Sequence, residues 1–311
     1  MDYNLPIFES ANMRTLNYLA MPTSIIQSSP NFSYNYLFTK MLSLYSKNRN
    51  LQLKYENAIL VPKCLPFPLW KALDFKLSLY YPKKNVKKCI IESLAKGEYV
   101  YLCVNEEFIP ERYAFNRCYY YHEILVFGYC EDTDKFKTIG YNDNMQYKTQ
   151  LISSEYLMRA YFTNKQKLFS LYKISINKKF NFEKTNKMLI KKKLFFYLNP
   201  IKKNHGINSY KSYICQLKKD FKKRKIDLRG FRTILDRAYV FSVAPFIGEL
   251  ANDEINHLVS KNYLKAKMLM CQAIKYHITK KSVLECEIIS GIKEFSCNEI
   301  KLYKILFDII K

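Results

Sequence analysis

Short apolar runs separated by polar turns mark the middle of the chain. Residues 99–104 are six apolar or aromatic residues in succession, and residues 124–129 form a second run of the same kind. A third run, residues 135–141, follows the second after the polar and turn-prone residues 130–134. Because β-branched and aromatic residues in runs of this length are typical of buried strands, the pattern predicts three strands, the last two joined as a hairpin.

Segments with a helical spacing of apolar residues precede and follow these strands in the sequence. Ser153 and Ser154 are both N-cap candidates for a helix that ends near residue 162, because a serine hydroxyl can accept a bond from a free amide of the first turn. Two further strands are predicted at residues 147–152 and 168–176. The predicted helices of this part cover residues 13–26, with a break near Pro22, and residues 34–45, 83–95 and 153–162.

The last third of the chain has a helical pattern throughout. Asn199 and Pro200 end one basic amphipathic segment, and the polar residues around 198–207 predict a domain boundary. The sequence therefore predicts an α+β domain, residues 1–200, built on a central antiparallel sheet, and an α-helical domain, residues 201–311. Helices are predicted at residues 182–198, 210–221, 231–250 with a bend near Pro245, 253–279 and 283–310.

Composition narrows the class of protein. With 49% hydrophobic residues among 311, the chain can bury packed cores. Its nine cysteines form no CxxC pair, its first ten residues do not resemble a secretion signal, and no apolar run reaches about 18 residues. We therefore expect reduced thiols, a cytoplasmic location and no membrane span. With only seven glycines and neither a GxGxxG nor a P-loop motif, we expect no bound cofactor.

Positive charge is concentrated in the second half of the chain. Residues 1–163 carry 19 Lys and Arg against 15 Asp and Glu, whereas residues 164–311 carry 32 against 12. One interpretation is a genome rich in A and T, with the lysines on solvated helix faces. The other is a basic surface for an acidic partner, such as a carrier protein, a membrane or nucleic acid. Because Arg makes the commonest bidentate base contacts and is sparse here, we expect no nucleic-acid partner.

His122, one of four histidines, is the first candidate for chemistry. It lies just before the second apolar run, where an imidazole can serve as a general base with a pKa set by its surroundings. The alternative is a structural histidine hydrogen-bonded to the backbone. We expect the carboxylates of Glu106, Glu107 and residues 131–134 to be solvated turn groups. The other three histidines lack the spacing of metal ligands, so no metal site is expected.

The segment around His122 resembles a known family. Residues 122–143, HEILVFGYCEDTDKFKTIGYND, and residues 97–121, GEYVYLCVNEEFIPERYAFNRCYYY, are similar to the core of papain-like cysteine-peptidase folds in bacterial biosynthetic clusters. The likeness is to the butirosin-biosynthesis-protein-H-like family, and more distantly to bacteriocin-processing peptidases. The shared pattern is a histidine that opens a hydrophobic strand ending in Gly-Tyr, then a hairpin leading to Asp or Asn. It covers residues 98–160 well and implies a papain-like fold for the α+β domain.

This resemblance implies acyl transfer. Such proteins act on acyl groups held as thioesters on acyl- or peptidyl-carrier proteins, using a cysteine thiolate activated by a histidine and an Asp or Asn that orients the imidazole. His122 matches the histidine of the family, and Asn142 or Asp143 is nearest to its orienting residue.

The nucleophile departs from the family pattern. The family's cysteine lies near the N-terminus at the start of a helix, where this chain has no cysteine and Ser10 is the nearest hydroxyl. Cys64, the first cysteine of the chain, is the candidate for a displaced nucleophile. Cys118, four residues before His122, is a further candidate. The site is therefore either one with a displaced nucleophile or an inactive one.

Two hypotheses follow. The first is an acyl-transfer or amide-forming enzyme that acts on a carrier-bound acyl thioester in natural-product biosynthesis, with its basic half docking an acidic carrier protein. The second is a catalytically inactive papain-like binding or scaffold protein of a biosynthetic cluster. Nothing in the sequence indicates the oligomeric state.

Overall fold

The chain forms two units that interleave along the sequence. The computed structural model describes residues 2–9, 17–47, 50–53, 58–59, 67–68, 70–80, 85–144, 146–164, 169–182 and 187–310. The first of the two units, which we name the sheet unit, contains the described residues up to 32 and from 58 to 181. The second, the helical unit, contains those from 33 to 53 and from 182 to 310.

The elements alternate irregularly between strands and helices. The strands are β1 (Tyr3–Asn4), β2 (Leu44–Lys47), β3 (Asn50–Leu53), β4 (Ala58–Ile59), β5 (Phe67–Pro68), β6 (Leu73–Tyr80), β7 (Tyr99–Asn105), β8 (Tyr121–Cys130), β9 (Lys135–Tyr141), β10 (Tyr147–Ser153) and β11 (Phe169–Ile176). The helices are α1 (Asn17–Gln27), α2 (Tyr34–Met41), α3 (Val86–Ala95), α4 (Ser154–Phe162), α5 (Lys187–Leu198), α6 (Asn208–Lys222), α7 (Arg229–Val243), α8 (Pro245–Glu249), α9 (Asp253–Thr279) and α10 (Val283–Ile309).

An antiparallel sheet of seven strands forms the sheet unit, in the order β10-β9-β8-β7-β11-β6 with β1 paired to β8. The predicted mixed α+β class with an antiparallel sheet is therefore confirmed. The three central runs and the hairpin between the last two are also confirmed, as are the strands at β10 and β11. Ser153 is the N-cap of α4, because its hydroxyl accepts a hydrogen bond from the amide of Tyr156.

The two faces of the sheet are covered by different helices. Val100, Leu102 and Val104 of β7 pack with Ile124 of β8 and with residues of α3 and α4 in one buried cluster. Side chains of neighbouring strand residues alternate between faces. Tyr99 therefore points to the opposite face, where its hydroxyl donates to the carbonyl of Pro6. Helix α1 contacts β8 and β9, and its Ser24 bonds the hydroxyl of Tyr147 on this second face.

Two prolines behave differently from the predictions. The expected break at Pro22 is wrong, because α1 continues through it from Asn17 to Gln27. Its buried side chains Ala20, Met21, Ile25 and Ile26 hold the helix against the sheet unit, which offsets the backbone bond that proline cannot make. The expected bend near Pro245 is instead a full interruption. Ala244 is extended, and Pro245 starts α8 at a position where its missing N–H costs nothing.

The helical unit is built from α2, the β2–β3 hairpin and helices α5 to α10. Helix α10 contacts α5, α6 and α9, and α7 contacts α2 and α9. The expected domain boundary at residue 200 placed α2 and α5 in the first domain, whereas both bury their apolar sides against helices of the C-terminal region.

The core of the helical unit contains an ion pair. The guanidinium of Arg237 lies 2.8 Å from a carboxylate oxygen of Glu299, and neither side chain has any solvent exposure. The hydroxyls of Tyr197 and Tyr210 donate to the same carboxylate, and Tyr303 accepts from Arg237.

Of the helices in the described part of the chain, none combines the length and apolarity needed to cross a bilayer.

Candidate functional site

His122 is the second residue of β8 and lies opposite Val104 of β7 in the ladder. Its side chain is 29% exposed, and the ring of Tyr120 stacks on the imidazole with 5.4 Å between ring centroids. The imidazole therefore lies near the start of a central strand, with one face covered and part of the ring accessible to solvent.

Two buried carboxylates flank the imidazole. Glu106 follows β7 directly in a short 3-10 turn, and its Oε1 lies 3.2 Å from Nδ1 of His122. Glu123, the next residue along β8, has its Oε2 3.3 Å from Nε2. The turn is fixed because the amide of Glu106 donates to the carbonyl of Tyr120, and the side chain of Asn105 accepts from the amide of Tyr120. Each ring nitrogen thus faces a carboxylate that solvent barely reaches.

Arg112 connects this histidine to strand β9. Its buried guanidinium lies 3.8 Å from Oε1 of Glu106 and donates a hydrogen bond to the carbonyl of Tyr141. The group lies directly against Gly140, where a Cβ would come within 2.5 Å of the terminal nitrogen Nη2. Position 140 therefore accepts glycine because the guanidinium occupies the space of a side chain.

The charges of these four side chains are balanced when His122 is protonated. Burial of the imidazole lowers the pKa of His122, but the hydrogen bond with Glu106 and the negative charges of Glu123 and Glu106 raise it by more. The pKa of His122 consequently lies above the ordinary value for histidine. We name Glu106, Arg112, His122 and Glu123 the histidine cluster.

The orienting residues expected from sequence, Asn142 and Asp143, make other contacts. The last ladder pair between β8 and β9 at this end is Leu125 with Ile139, and continuing the count would place Asn142 level with His122. The Asn142 side chain, however, accepts from the amide of Gln146 and donates to its side chain. Asp143 is exposed, and its amide donates to the carbonyl of Glu111. The position beside Nδ1 is taken by Glu106.

The structure describes only one of the three candidate nucleophiles. Cys64 and Ser10 lie outside the described residues. Cys118 is exposed in the loop between β7 and β8, where its amide donates to the carbonyl of Ala114. Cys103 is buried on β7 and pairs with Glu123 in the ladder, one position away from the pair that contains His122.

Sequence analysis missed three of the four members of the histidine cluster. Glu106 was expected to be a solvated turn residue, and this is wrong: it is buried because its turn folds back under Tyr120. Arg112 and Glu123 were not considered, although a charged residue directly before an apolar run, as Glu123 is, can signal a buried partner. Within the described residues, no group of three or more His, Cys, Asp or Glu is arranged to hold a metal ion.

Comparison of the sequence with protein-family models and with curated proteins gives no match. The geometry of the histidine cluster is therefore the main basis for an assignment of function.

Proposed function

We propose that this protein is a cytoplasmic, non-catalytic binding protein of a bacterial natural-product cluster, with a papain-like arrangement of its sheet unit and an acidic acyl- or peptidyl-carrier protein as its partner. The observation that carries the proposal is that both ring nitrogens of His122 face carboxylates of the chain itself, Glu106 and Glu123.

A catalytic thiolate needs a positive neighbourhood. Cysteine nucleophiles have a lowered pKa beside histidine, lysine or arginine or at a helix N-terminus, and an adjacent negative charge opposes ionisation. In the histidine cluster a protonated His122 and the guanidinium of Arg112 are already balanced by two buried carboxylates. A thiolate brought to this imidazole would add a third negative charge in a poorly solvated place. The cluster is suited to holding a loop and a strand together rather than to activating a nucleophile.

The partner is inferred from charge. The chain carries a formal net charge of +24, most of it in the half that contains the helical unit. Attraction between a basic surface and an acidic protein weakens as salt screens it. Binding of the full-length protein to an isolated peptidyl-carrier protein, measured by titration calorimetry at low and high salt, tests this. We expect affinity that falls with salt and is the same for wild type and His122→Gln. Absence of binding would reject the proposal.

Acyl transfer is the second candidate, and the raised pKa of His122 favours it. An imidazolium oriented by a carboxylate at Nδ1, as Glu106 orients it, can stabilise a thiolate and protonate a leaving group. Rotation of Glu123 away from Nε2 would open the second nitrogen to a nucleophile, for which the sequence offers Cys64, Cys118 and Ser10.

Intact-protein mass spectrometry separates the two candidates. Wild type, Cys64→Ala, Cys118→Ala and Ser10→Ala are each incubated with an acyl-loaded carrier protein. We expect no acyl adduct on any of them. An adduct on wild type that one variant lacks would establish the enzyme and identify its nucleophile.

A further inference from the structure

The solvent-facing side of α5 is apolar. Met188, Leu189, Phe195 and Phe196 lie on one side of this helix, and Ile201 follows just beyond its end. Their exposed fractions are 69% for Met188, 40% for Leu189, 47% for Phe195, 50% for Phe196 and 93% for Ile201. The opposite side of the helix carries the buried residues Ile190, Leu194 and Tyr197. We name the five exposed residues the α5 surface. A cluster of solvent-exposed apolar side chains usually marks a binding surface.

Lysines lie next to the α5 surface in the sequence, and no acidic residue does. Lys187 and Lys192 are exposed on the helix, and Lys202 and Lys203 follow Ile201 directly. Residues 187–219 contain nine lysines and no Asp, Glu or Arg. The four named lysines make no ion pair with any acidic side chain in the part of the chain that the structure describes. The surface therefore combines apolar side chains with positive charge that no described acidic side chain of the unit neutralises.

We propose that the α5 surface binds the anionic face of a lipid bilayer, with its apolar side chains entering the boundary between headgroups and acyl chains. A helix that lies in this boundary presents Phe and Leu to the acyl region and Lys to the headgroups, which is the composition found here. The inference does not depend on the proposed carrier-protein partner, because it rests on the exposed apolar side chains of α5 together with the lysines beside them.

Lysine, rather than arginine, favours a lipid over a protein or nucleic-acid partner. The energetic centres of protein interfaces are enriched in Arg and depleted of Lys, and specific base contacts also use Arg. Anionic headgroups need only point charges at the right depth, which Lys supplies. The apolar side chains also project outward from a convex helix, so they fit a deformable lipid surface without a matching cavity.

Vesicle co-sedimentation of the full-length protein tests the proposal. The vesicles are phosphatidylcholine alone and phosphatidylcholine mixed with phosphatidylglycerol. The charge variant is Lys192→Gln with Lys203→Gln, and the apolar variant is Phe196→Ser with Ile201→Ser. The control is Lys275→Gln with Lys293→Gln, which removes two lysines that are also exposed, from α9 and α10.

We expect wild type and control to bind the anionic vesicles and not the neutral ones. The charge variant should bind about 30-fold more weakly, because each lysine near an anionic surface contributes a factor of about five. The apolar variant should bind at least about tenfold more weakly. Failure of wild type to bind the anionic vesicles, or an equal loss in the control, would overturn the proposal. Sedimentation of wild type as a dimer that the apolar variant abolishes would assign the surface to a second copy of the chain instead.

Discussion

Nδ1 of His122 lies 3.2 Å from a carboxylate oxygen of Glu106, a residue that the chain reaches sixteen positions earlier at the end of the neighbouring strand. The contact exists because β7 and β8 are antiparallel partners, so the residue that leaves one strand meets the residue that enters the other. It places a negative charge beside the imidazole and makes its protonation part of the stability of the sheet unit.

Replacement of His122 by Gln should destabilise the sheet unit in a pH-dependent manner. Because the pKa of His122 is raised on folding, its contribution is complete below the unfolded value of about 6.5 and is lost as pH rises through the folded value. We expect His122→Gln to cost about 1–2 kcal/mol near pH 6 and less at higher pH. Urea unfolding followed by fluorescence of Trp70, the single tryptophan and a residue of the sheet unit, measures this. A difference that does not vary with pH would contradict it.

Loss of Arg112 should be more costly than loss of any exposed arginine of the same loop. Arg112→Met leaves the buried carboxylates of Glu106 and Glu123 with His122 as the remaining cation of the cluster. Breaking a buried pair from one side costs about 3–5 kcal/mol. Arg117→Met is the matched control, because Arg117 is exposed, donates to the carbonyl of Tyr113 and lies over the ring of the same tyrosine. Equal stability of the two variants in urea would show that the Arg112 contacts contribute little.

Gly140 and Arg112 should be energetically coupled. A methyl group at position 140 meets the guanidinium at 2.5 Å, so Gly140→Ala should cost about 1–3 kcal/mol in the wild-type background. In the Arg112→Met background the guanidinium is absent, and the same substitution should cost much less. Unfolding free energies of the four proteins of this double-mutant cycle give the coupling. Additive effects would mean that glycine is needed at position 140 for another reason.

The buried pair Arg237–Glu299 should dominate the stability of the helical unit. Arg237→Met leaves Glu299 unpaired in a core without solvent, which costs about 3–5 kcal/mol. Arg237→Met with Glu299→Met should be less destabilised than the sum of the single variants, because no uncompensated charge remains. Lys301→Met, which breaks the exposed pair with Glu254, serves as control and should cost less than about 1 kcal/mol. Far-UV circular dichroism follows the helices through urea unfolding.

Asp134 should stabilise the sheet unit through the turn of the β8–β9 hairpin. Hydrogen bonds from Lys87, Ser154 and Tyr129 lower the pKa of Asp134 to about 2. Its contribution is therefore complete above the unfolded value of about 4 and is lost as pH falls through about 2. Asp134→Asn keeps a residue that tolerates the left-handed backbone here.

We expect Asp134→Asn to cost about 1 kcal/mol at neutral pH, because the carboxylate is half exposed and its charge is partly screened. Asp132→Asn, a substitution of an exposed aspartate in the same turn, should leave the unfolding midpoint in urea unchanged. Equal effects of the two variants would show that the bonds to Asp134 are not responsible.

Local pattern was sufficient for most elements and failed where an element depends on a distant partner. Strand β7 and most of β8 are continuous apolar runs, and β9 alternates partly, so their type was predictable without knowledge of the sheet. Strand β6 was missed although its apolar residues alternate, and it lies at an edge of the sheet beside β11. The β2–β3 hairpin was missed because its first strand continues the helical spacing of α2.

The sequence by itself determined whether each long apolar segment is a strand or a helix, the hairpin turn, an N-cap at Ser153 or Ser154, and the position of His122 at the start of a strand. These depend on side-chain period and backbone preference over a few residues. Only the tertiary structure decided which groups His122 meets. Glu106, Arg112 and Gly140 come from a turn, a loop and another strand, and strand pairing brings them together across the sheet. Such contacts leave no signal in the local sequence. The entropy lost in closing the chain between these groups is offset only when the whole sheet forms.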